Sequence, residues 1–163
     1  MIVIADTSPL SYLLLIEKLD LLPRLYGRVM IPEAVHAELQ SDNSPLPIKQ
    51  WIAKPPPWFE VRKVKVPENV LNDLGAGERE AIILAQDMKA DLLLLDDWDA
   101  RQEAFRRHLT IAGTLRVLED AASLDLIDLP VVVAKLRSTN FRISETMLEA
   151  MLLRDAQRKG KKT

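Results

Sequence analysis

The sequence predicts a three-layer α/β/α fold, in which helices cover both faces of a central parallel sheet and a helical extension follows. Short runs of consecutive apolar residues, such as residues 2–5 and 92–95, are typical of strands that are buried on both faces. Helical segments alternate with these runs along most of the chain. This alternation indicates a parallel sheet, because parallel strands must be joined by crossover connections that are usually helical.

The first elements are bounded by proline and glycine signals. Ser8-Pro9 is a good pair for the N-cap and first turn of a helix, and Gly27 ends the second helix. Pro32 opens the third helix by the same preference for the first helical position. The elements predicted up to this point are strands at residues 2–5 and 28–31 and helices at residues 8–16, 19–26 and 32–39.

The composition changes over residues 42–57, where five prolines interrupt the chain. We interpret this segment as an irregular excursion within the domain, because it is too short to build a second core. The later predicted strands are an edge strand at residues 59–64 and strands at 92–95 and 109–112. The later predicted helices are at residues 48–53 and 75–88, between the last two strands to about residue 107, from Gly113-Thr114 onward, and at 130–136 and 144–158. We therefore predict a domain over residues 1–125 and a helical extension with a basic tail over residues 126–163.

Composition restricts the class of protein. The 163 residues are 48% hydrophobic and 28% charged, which is ordinary for a soluble globular domain. The chain has no cysteine, which excludes disulfides and thiolate metal sites. We see neither a signal peptide at the start nor an apolar run near the roughly 18 residues that span a bilayer. The expected location is the cytoplasm, with no membrane association.

The charge distribution leaves two interpretations open. Lys and Arg total 22 against 24 Asp and Glu, a formal net charge of −2, whereas a protein that binds nucleic acid by charge alone is usually basic. The clustered basic residues are Arg62, Lys63, Lys65, Arg101, Arg106, Arg107, His108, Arg154, Arg158, Lys159, Lys161 and Lys162. They form either solvated faces and a tail or a local basic rim around an acidic centre.

Acidic residues follow two of the predicted strands. Asp6 comes directly after the first strand, and Asp96 and Asp97 come directly after residues 92–95. In an open parallel sheet the carboxyl ends of the strands share one edge, where ligands bind. If the two strands are neighbours, Asp6 and Asp97 face a common point.

Two helices contribute further acidic candidates. Glu78 lies in the first turn of the helix that starts near Gly77, which a right-handed crossover places at the same edge of the sheet. In the third helix, Glu38 borders the apolar stripe and can reach inward, whereas Glu33 should face water. Each acid also has a simpler explanation as a capping, turn or solvated residue. Together they suit Mg²⁺ or Mn²⁺, because gathered carboxylates repel one another unless protons or a cation intervene.

These residues together resemble a PIN domain. The resemblance covers roughly residues 1 to 125 and is nearest to the VapC-type toxins of toxin–antitoxin pairs. The matching segments are Asp6-Thr7-Ser8, Glu38, Gly77-Glu78, Leu95-Asp96-Asp97 with Ala100-Arg101, and Gly113-Thr114-Leu115. The resemblance implies a Mg²⁺- or Mn²⁺-dependent endoribonuclease that acts on RNA and frequently forms a homodimer.

The resemblance also implies roles for individual residues. The acidic site would comprise Asp6, Glu38, Glu78 and Asp97, with Asp99 as the fallback for the crowded fourth position. Metal ligands would be Asp6, Glu78, Asp97 and Asp99; Glu38 would position or deprotonate the attacking water; Ser8 and Arg101 would contact the substrate. The third acidic residue is often Asp in this family, and Glu78 has a longer side chain.

Other functions and the partners stay open at this point. A catalytically inactive module of the same fold could bind RNA or a partner protein. Phosphotransfer is disfavoured, because Asp6-Thr7-Ser8 lacks the second Asp of the dehalogenase-like motif and the acidic pair follows a late strand. The last helix carries Met147, Leu148, Met151 and Leu152 at helical spacing. We expect this face either to pack on the domain itself or to form a homodimer or antitoxin contact.

Overall fold

The computed structural model describes residues 1–161 and contains a five-stranded parallel sheet in the order β3-β2-β1-β4-β5. The strands are β1 (Val3–Ala5), β2 (Val29–Pro32), β3 (Phe59–Arg62), β4 (Leu92–Leu94) and β5 (Ile111–Ala112). Helices flank the sheet, which confirms the predicted three-layer α/β/α fold and the edge position of β3. Lys162, one of the predicted basic residues, lies outside the described residues.

Nine helices connect and follow the strands within residues 1–161. They are α1 (Thr7–Leu15), α2 (Leu21–Tyr26), α3 (Glu33–Gln40), α4 (Leu46–Ala53), α5 (Ala76–Asp87), α6 (Trp98–Arg106), α7 (Thr114–Ser123), α8 (Leu129–Arg137) and α9 (Glu145–Lys161). Every predicted helix exists, with shifts of a few residues at the ends.

The start of α1 differs from the sequence prediction. Asp6, and not Ser8, occupies the N-cap position, and Ser8 lies half-buried inside the first turn. The backbone of Asp6 is still extended and donates its N–H to the Leu94 carbonyl at 3.0 Å. The chain therefore turns into the helix directly after the last sheet hydrogen bond, which places Asp6 at the junction of strand and helix.

Residues 1–114 form one compact unit, and one of its hydrophobic clusters lies between the sheet and the helices α5 and α6. Ile4 and Leu93 are register partners on neighbouring strands and contribute to this core with Ala81, Ala100 and Ala104. Small alanines on both helices allow close approach to the strands. The packing fixes the start of each helix relative to the carboxyl edge of the sheet.

Residues 115–163 form the second compact unit, so the division falls earlier than the predicted boundary at residue 125. Within this unit α8 contacts α9, and α8 buries Leu129, Val132, Val133 and Leu136. The designation of residues 126–163 as an extension remains a prediction. Across residues 1–161, no helix combines the length and the hydropathy needed to cross a bilayer.

The apolar face of α9 is largely buried within the single chain. Leu148 and Met151 are buried, with Met151 only 3% exposed, whereas Met147 is 59% exposed. Two of the four apolar residues at helical spacing, Leu148 and Met151, are therefore already buried within a single chain. The predicted homodimer remains a prediction, and these two residues do not supply its surface.

We expect Met151→Glu to lower the free energy of unfolding by about 3 kcal/mol or more, because it places an unpaired charge in a buried site. Met147→Glu is the matched control on the same helix, and its effect should stay within about 0.5 kcal/mol. Urea denaturation followed by circular dichroism measures both. Equal losses for the two variants would contradict this assignment of the buried face.

Candidate active site

The carboxyl edge of the sheet brings the strand-end acids together. β1 and β4 are adjacent and parallel, with Ala5 in register with Leu94, as the apolar runs predicted. Asp6 follows β1 at this edge, and Asp96 and Asp97 follow β4. These acids therefore extend from neighbouring strands toward the same side of the molecule.

Asp6 is the most strongly perturbed acid at this edge. The residue is 4% exposed, and its Oδ1 atom has no hydrogen-bond partner within residues 1–161. Burial raises the pKa of the carboxyl from 3.8 to about 7; the Thr7 backbone N–H lowers it, and the charges of Glu78, Glu38 and Asp96 raise it further. Although Asp6 occupies the N-cap position of α1, its side chain forms no capping hydrogen bond in the part of the chain described. The simple capping explanation therefore does not account for this residue.

Glu38 reaches the site from α3. Its Oε1 accepts a hydrogen bond from the Gly77 backbone N–H at 3.0 Å, and its Oε2 accepts one from the Thr7 hydroxyl. Thr7 adjoins Asp6, and Gly77 adjoins Glu78, so the carboxylate lies between two other acidic positions. Glu33 on the same helix is exposed, as predicted.

Gly77 permits this arrangement because it has no side chain. A Cβ atom at position 77 would lie 2.6 Å from Oε1 and 2.8 Å from Oε2 of Glu38, closer than such atoms can approach. The carboxylate of Glu38 occupies the space that any larger residue would fill. This steric role was not recognised in the sequence, although the Gly77-Glu78 pair was.

For the metal-dependent nuclease that the resemblance implies, we expect Gly77→Ala to reduce activity by about 10- to 100-fold, the effect usual for a lost supporting contact at a metal site. The substitution should displace Glu38 while leaving α5 intact, since alanine is a better helix former than glycine. The rate of nucleic-acid cleavage and the melting temperature should be measured together. Gly160→Ala is the control, because open space surrounds that position in α9. Unchanged cleavage by Gly77→Ala would show that the position of Glu38 is irrelevant.

Glu78 lies in the first turn of α5 and accepts a hydrogen bond from the Gly75 backbone N–H at 3.2 Å. Partial burial raises the pKa of its carboxyl, and so do the charges of Asp97, Glu38 and Asp99. Glu78 thus caps its helix and is also electrostatically coupled to the other acids. The capping role of Glu78 is therefore observed, and its role in the site stays a prediction that this capping role does not exclude.

The three acids after β4 occupy different environments. Asp97 is exposed and caps α6, because its Oδ2 accepts the Ala100 backbone N–H at 3.0 Å. Asp99 lies in the first turn of α6 and is exposed. Asp96 is partly buried and accepts hydrogen bonds from the backbone N–H and hydroxyl of Thr114 at 2.7 and 2.6 Å. Asp96 is the one of the three whose charge raises the pKa of Asp6.

Burial raises the pKa of Asp96, against the two Thr114 hydrogen bonds and the charge of Arg101. Sequence reasoning preferred Asp97 for the fourth acidic position, yet Asp96 has the closer coupling to Asp6. The signal for Asp96 was the Gly113-Thr114 step after β5, which supplies both hydrogen-bond donors. Asp97 and Asp99 remain coupled to the site through Glu78.

Arg101 lies beside Asp96, as expected for a residue near the site. Its Nη1 donates to the Leu95 carbonyl at 3.4 Å, and a Cβ atom at Gly113 would come within 2.7 Å of Nη1 and 2.8 Å of Asp96 Oδ1. Gly113 therefore allows the guanidinium and the carboxylate to pack against the turn after β5. The supporting roles of four residues were not recognised in the sequence, although all four lie in the matching segments. Thr7, Gly77 and Thr114 donate hydrogen bonds to an acid, and Gly113 leaves the space that Asp96 and Arg101 occupy.

Most of the predicted basic clusters are engaged in ion pairs. Arg106 and Arg107 both contact Glu103, and Arg62 contacts Glu60. On α9, Arg158 and Lys159 contact the buried Asp155, and Arg154 contacts Glu119 in α7. These contacts favour the interpretation of the clusters as paired surface charges.

The donor set at the edge is made of oxygen atoms, which are the ligands preferred by Mg²⁺ and Mn²⁺. Within residues 1–161, no three acidic or histidine side chains already converge closely enough to hold an ion. Glu38 and Asp96 are held by hydrogen bonds, while Oδ1 of Asp6 is buried without a partner. A divalent cation would satisfy that atom, so the oxygen donors at this edge suit a metal ion in their chemistry.

The fold and the acidic edge together define the class of protein as a PIN-like α/β domain. A family model described as PIN domain (DUF3368) matches residues 2–157, and the chain belongs to this family. PIN domains are generally nucleases.

A solved structure supports the fold separately. The chain is similar to a PilT N-terminus domain protein, SSO1118, from the hyperthermophilic archaeon Sulfolobus solfataricus P2, with a TM-score of 0.51 and 14% sequence identity. The alignment covers 88% of this chain and 100% of the archaeal chain. No curated protein sequence matches.

Proposed function

We propose that this PIN domain is a Mg²⁺- or Mn²⁺-dependent endoribonuclease that hydrolyses phosphodiester bonds in RNA. The observation that carries the proposal is the buried Asp6 carboxylate, whose unpartnered Oδ1 lies among coupled acids from α3, α5 and β4. A buried carboxylate without a hydrogen-bond partner is costly to a fold. The cost is offset when a ligand or a proton binds to the free oxygen. An acidic site of this kind suits a divalent cation better than a phosphate, which the carboxylates would repel.

Each acid has a distinct role in the proposal. Asp6 and Glu78 bind the metal, and Asp96, Asp97 or Asp99 completes the set. Glu38 orients the attacking water and accepts its proton, because its carboxylate is fixed by Thr7 and Gly77 at a position between the other acids. A bound Mg²⁺ or Mn²⁺ lowers the pKa of its water and neutralises charge on the phosphate.

Arg101 and Ser8 are proposed substrate contacts. The Arg101 guanidinium is held at the acidic edge by the Leu95 carbonyl and retains donors for a phosphate. Ser8 is half-buried in the first turn of α1, next to the Thr7 hydroxyl that contacts Glu38. Both residues therefore lie next to the acidic side chains and can contact a substrate bound there.

We also propose that the chain is the toxin of a toxin–antitoxin pair, which acts as a homodimer and is held inactive by an antitoxin protein. Size measurement by light scattering, on the purified chain alone, tests the homodimer. A monomer at all concentrations up to about 100 µM, well above the micromolar range of functional association, would contradict it.

A catalytically inactive module is the second candidate function. The observation in its favour is that, over residues 1–161, the acids do not already converge on a point that could hold an ion. Such a module would bind RNA or a partner protein through the same edge and would leave RNA intact.

One experiment separates the two functions. Purified protein is incubated with mixed RNAs in Mn²⁺, in Mg²⁺ and in EDTA, and metal binding is measured by calorimetry on the same preparation. We expect cleavage in the metals, none in EDTA, and metal binding that Asp6→Asn removes. Intact RNA together with no carboxylate-dependent metal binding would establish the inactive module. Parallel variants Asp96→Asn, Asp97→Asn and Asp99→Asn identify the fourth acid, because loss of the true ligand lowers metal affinity more than loss of either of the other two.

A further inference from the structure

Helix α6 exposes two large aromatic side chains. Trp98 is 71% exposed and Phe105 is 72% exposed, although both are residues that proteins usually bury. The helix is anchored on its opposite face, where Ala100 and Ala104 are fully buried in the core. The aromatic pair therefore contributes little to the stability of the helix.

The two aromatic residues flank Arg101. Residues three and four positions apart are neighbours on a helix surface, and Trp98 and Phe105 stand three before and four after Arg101. The three side chains form one stripe along α6, which we call the aromatic stripe. Its ends are about 10 Å apart along the helix axis.

The aromatic stripe is continuous with the acidic edge. Arg101, its middle member, contacts the Leu95 carbonyl and lies beside Asp96. Trp98 stands between Asp97 and Asp99 at the end of α6 that adjoins the edge. A ligand that occupies the acidic edge therefore continues along this side of α6.

The composition of the stripe indicates what it binds. Exposed aromatic rings stack on nucleobases and arginine contacts phosphates or stacks as well, the combination used by proteins that hold single strands. The length of about 10 Å matches about three stacked bases at roughly 3.4 Å each. A bilayer core or a purely apolar partner would bury the Arg101 guanidinium without an anionic partner, at high cost.

We propose that Trp98 and Phe105 form a stacking platform for unpaired bases of a single-stranded nucleic acid, with Arg101 contacting its backbone between them. This inference rests on the proposed function, because it assumes that the strand is cut at the acidic edge. It adds that duplexes are poor ligands, because paired bases cannot expose their faces to the rings. Trp98 positions the strand and takes no part in the chemistry.

The test measures binding in EDTA, where cleavage cannot occur. Fluorescence anisotropy of a labelled eight-nucleotide RNA, of the matching DNA and of an RNA duplex is titrated with wild-type protein, Trp98→Ala, Trp98→Phe and Phe105→Ala. Leu15→Ala is the control, since Leu15 is also exposed but ends α1, about 12 Å along that helix from Thr7. All variants are first checked for an unchanged melting temperature.

We expect Trp98→Ala and Phe105→Ala each to weaken single-strand binding by about 5- to 100-fold, and Trp98→Phe to restore most of it. Leu15→Ala should bind as wild type does. Quenching of tryptophan emission by the RNA should be larger in wild type than in Trp98→Phe. Trp51 and Trp58 are present in both proteins, so the difference reports on Trp98 alone.

Three outcomes would overturn the proposal. They are single-strand affinity unchanged within twofold in both alanine variants, no measurable binding by wild type at about 100 µM, and dissociation of a homodimer by Trp98→Ala with RNA affinity unchanged. The last would assign the stripe to a contact between two copies of the chain. If the protein cleaves no RNA in Mg²⁺ or Mn²⁺ but still binds single strands in EDTA through Trp98 and Phe105, the nuclease function is contradicted and the stacking platform is not.

Discussion

Asp6→Asn should reduce metal-dependent RNA cleavage by about 10³-fold or more. The substitution keeps the size of the side chain and removes the charge that would bind the cation, and metal ions contribute several kcal/mol of transition-state stabilisation. Within residues 1–161, Oδ1 of Asp6 is the one buried carboxylate oxygen that has no hydrogen-bond partner. Single-turnover rates with excess enzyme in Mn²⁺ measure the effect on the chemical step.

Glu33→Gln is the matched control for this substitution. Glu33 is exposed on α3, the helix that also carries Glu38, and its loss should change the rate by less than about twofold, as for surface substitutions of about 0.5 kcal/mol or less. Both variants are purified in parallel, so a contaminating ribonuclease would appear equally in both. Retention of more than a tenth of the rate by Asp6→Asn would rule out Asp6 as the principal metal ligand.

The second large effect concerns stability without metal. The pKa of Asp6 is about 7 in the folded chain and 3.8 as its ordinary value, so the folded state binds the proton more tightly than the unfolded state. Between these values the free energy of unfolding falls as pH rises, by on the order of 4 kcal/mol in total. The stabilisation by this proton is fully present below about pH 4 and is lost as the pH rises through about 7, the pKa of Asp6 in the folded chain.

Asp6→Asn removes this titration. In EDTA at pH 8 the variant should be more stable than wild type by a few kcal/mol, and this difference should shrink to a small value toward pH 4, where Asp6 is protonated in the folded state and about half protonated in the unfolded state. Urea denaturation at pH 4, 6 and 8 measures the difference. Asp73→Asn is the control, because Asp73 is exposed and is not one of the acids assigned to the site. A pH-independent difference between Asp6→Asn and wild type would show that burial does not shift the Asp6 carboxyl.

Such a result would connect the two predictions. An acid that is costly to ionise in the empty site becomes favourable to ionise when a cation is bound. Mg²⁺ or Mn²⁺ should therefore stabilise wild type at pH 8 and leave Asp6→Asn unchanged. The metal-free protein would then be less stable because the site gathers like charges, a cost that is common at functional sites.

Local signals in the sequence determined the order of elements and the fold class. The apolar runs that became β1 and β4 are buried on both faces, so their composition alone identified them as inner strands of a parallel sheet. Gly27, with a φ of +81°, ended α2 where glycine was needed for a left-handed backbone. Asp6 was located correctly at the carboxyl edge, because its place follows from the end of β1. These features depend on neighbouring residues along the chain, which a sequence displays directly.

The tertiary structure alone decided how the acids are held. Contacts between distant parts of the chain, Glu38 with Gly77 and Asp96 with Thr114, determine which carboxylates are fixed and which is left unpartnered. The same applies to Met151 and Met147, which have similar positions in the pattern but opposite exposure. Burial and pKa arise from the surroundings in three dimensions, since desolvation depends on every packed neighbour regardless of sequence distance. For this reason the sequence could indicate the set of acids, while the preference for Asp96 beside Asp6 required the folded chain.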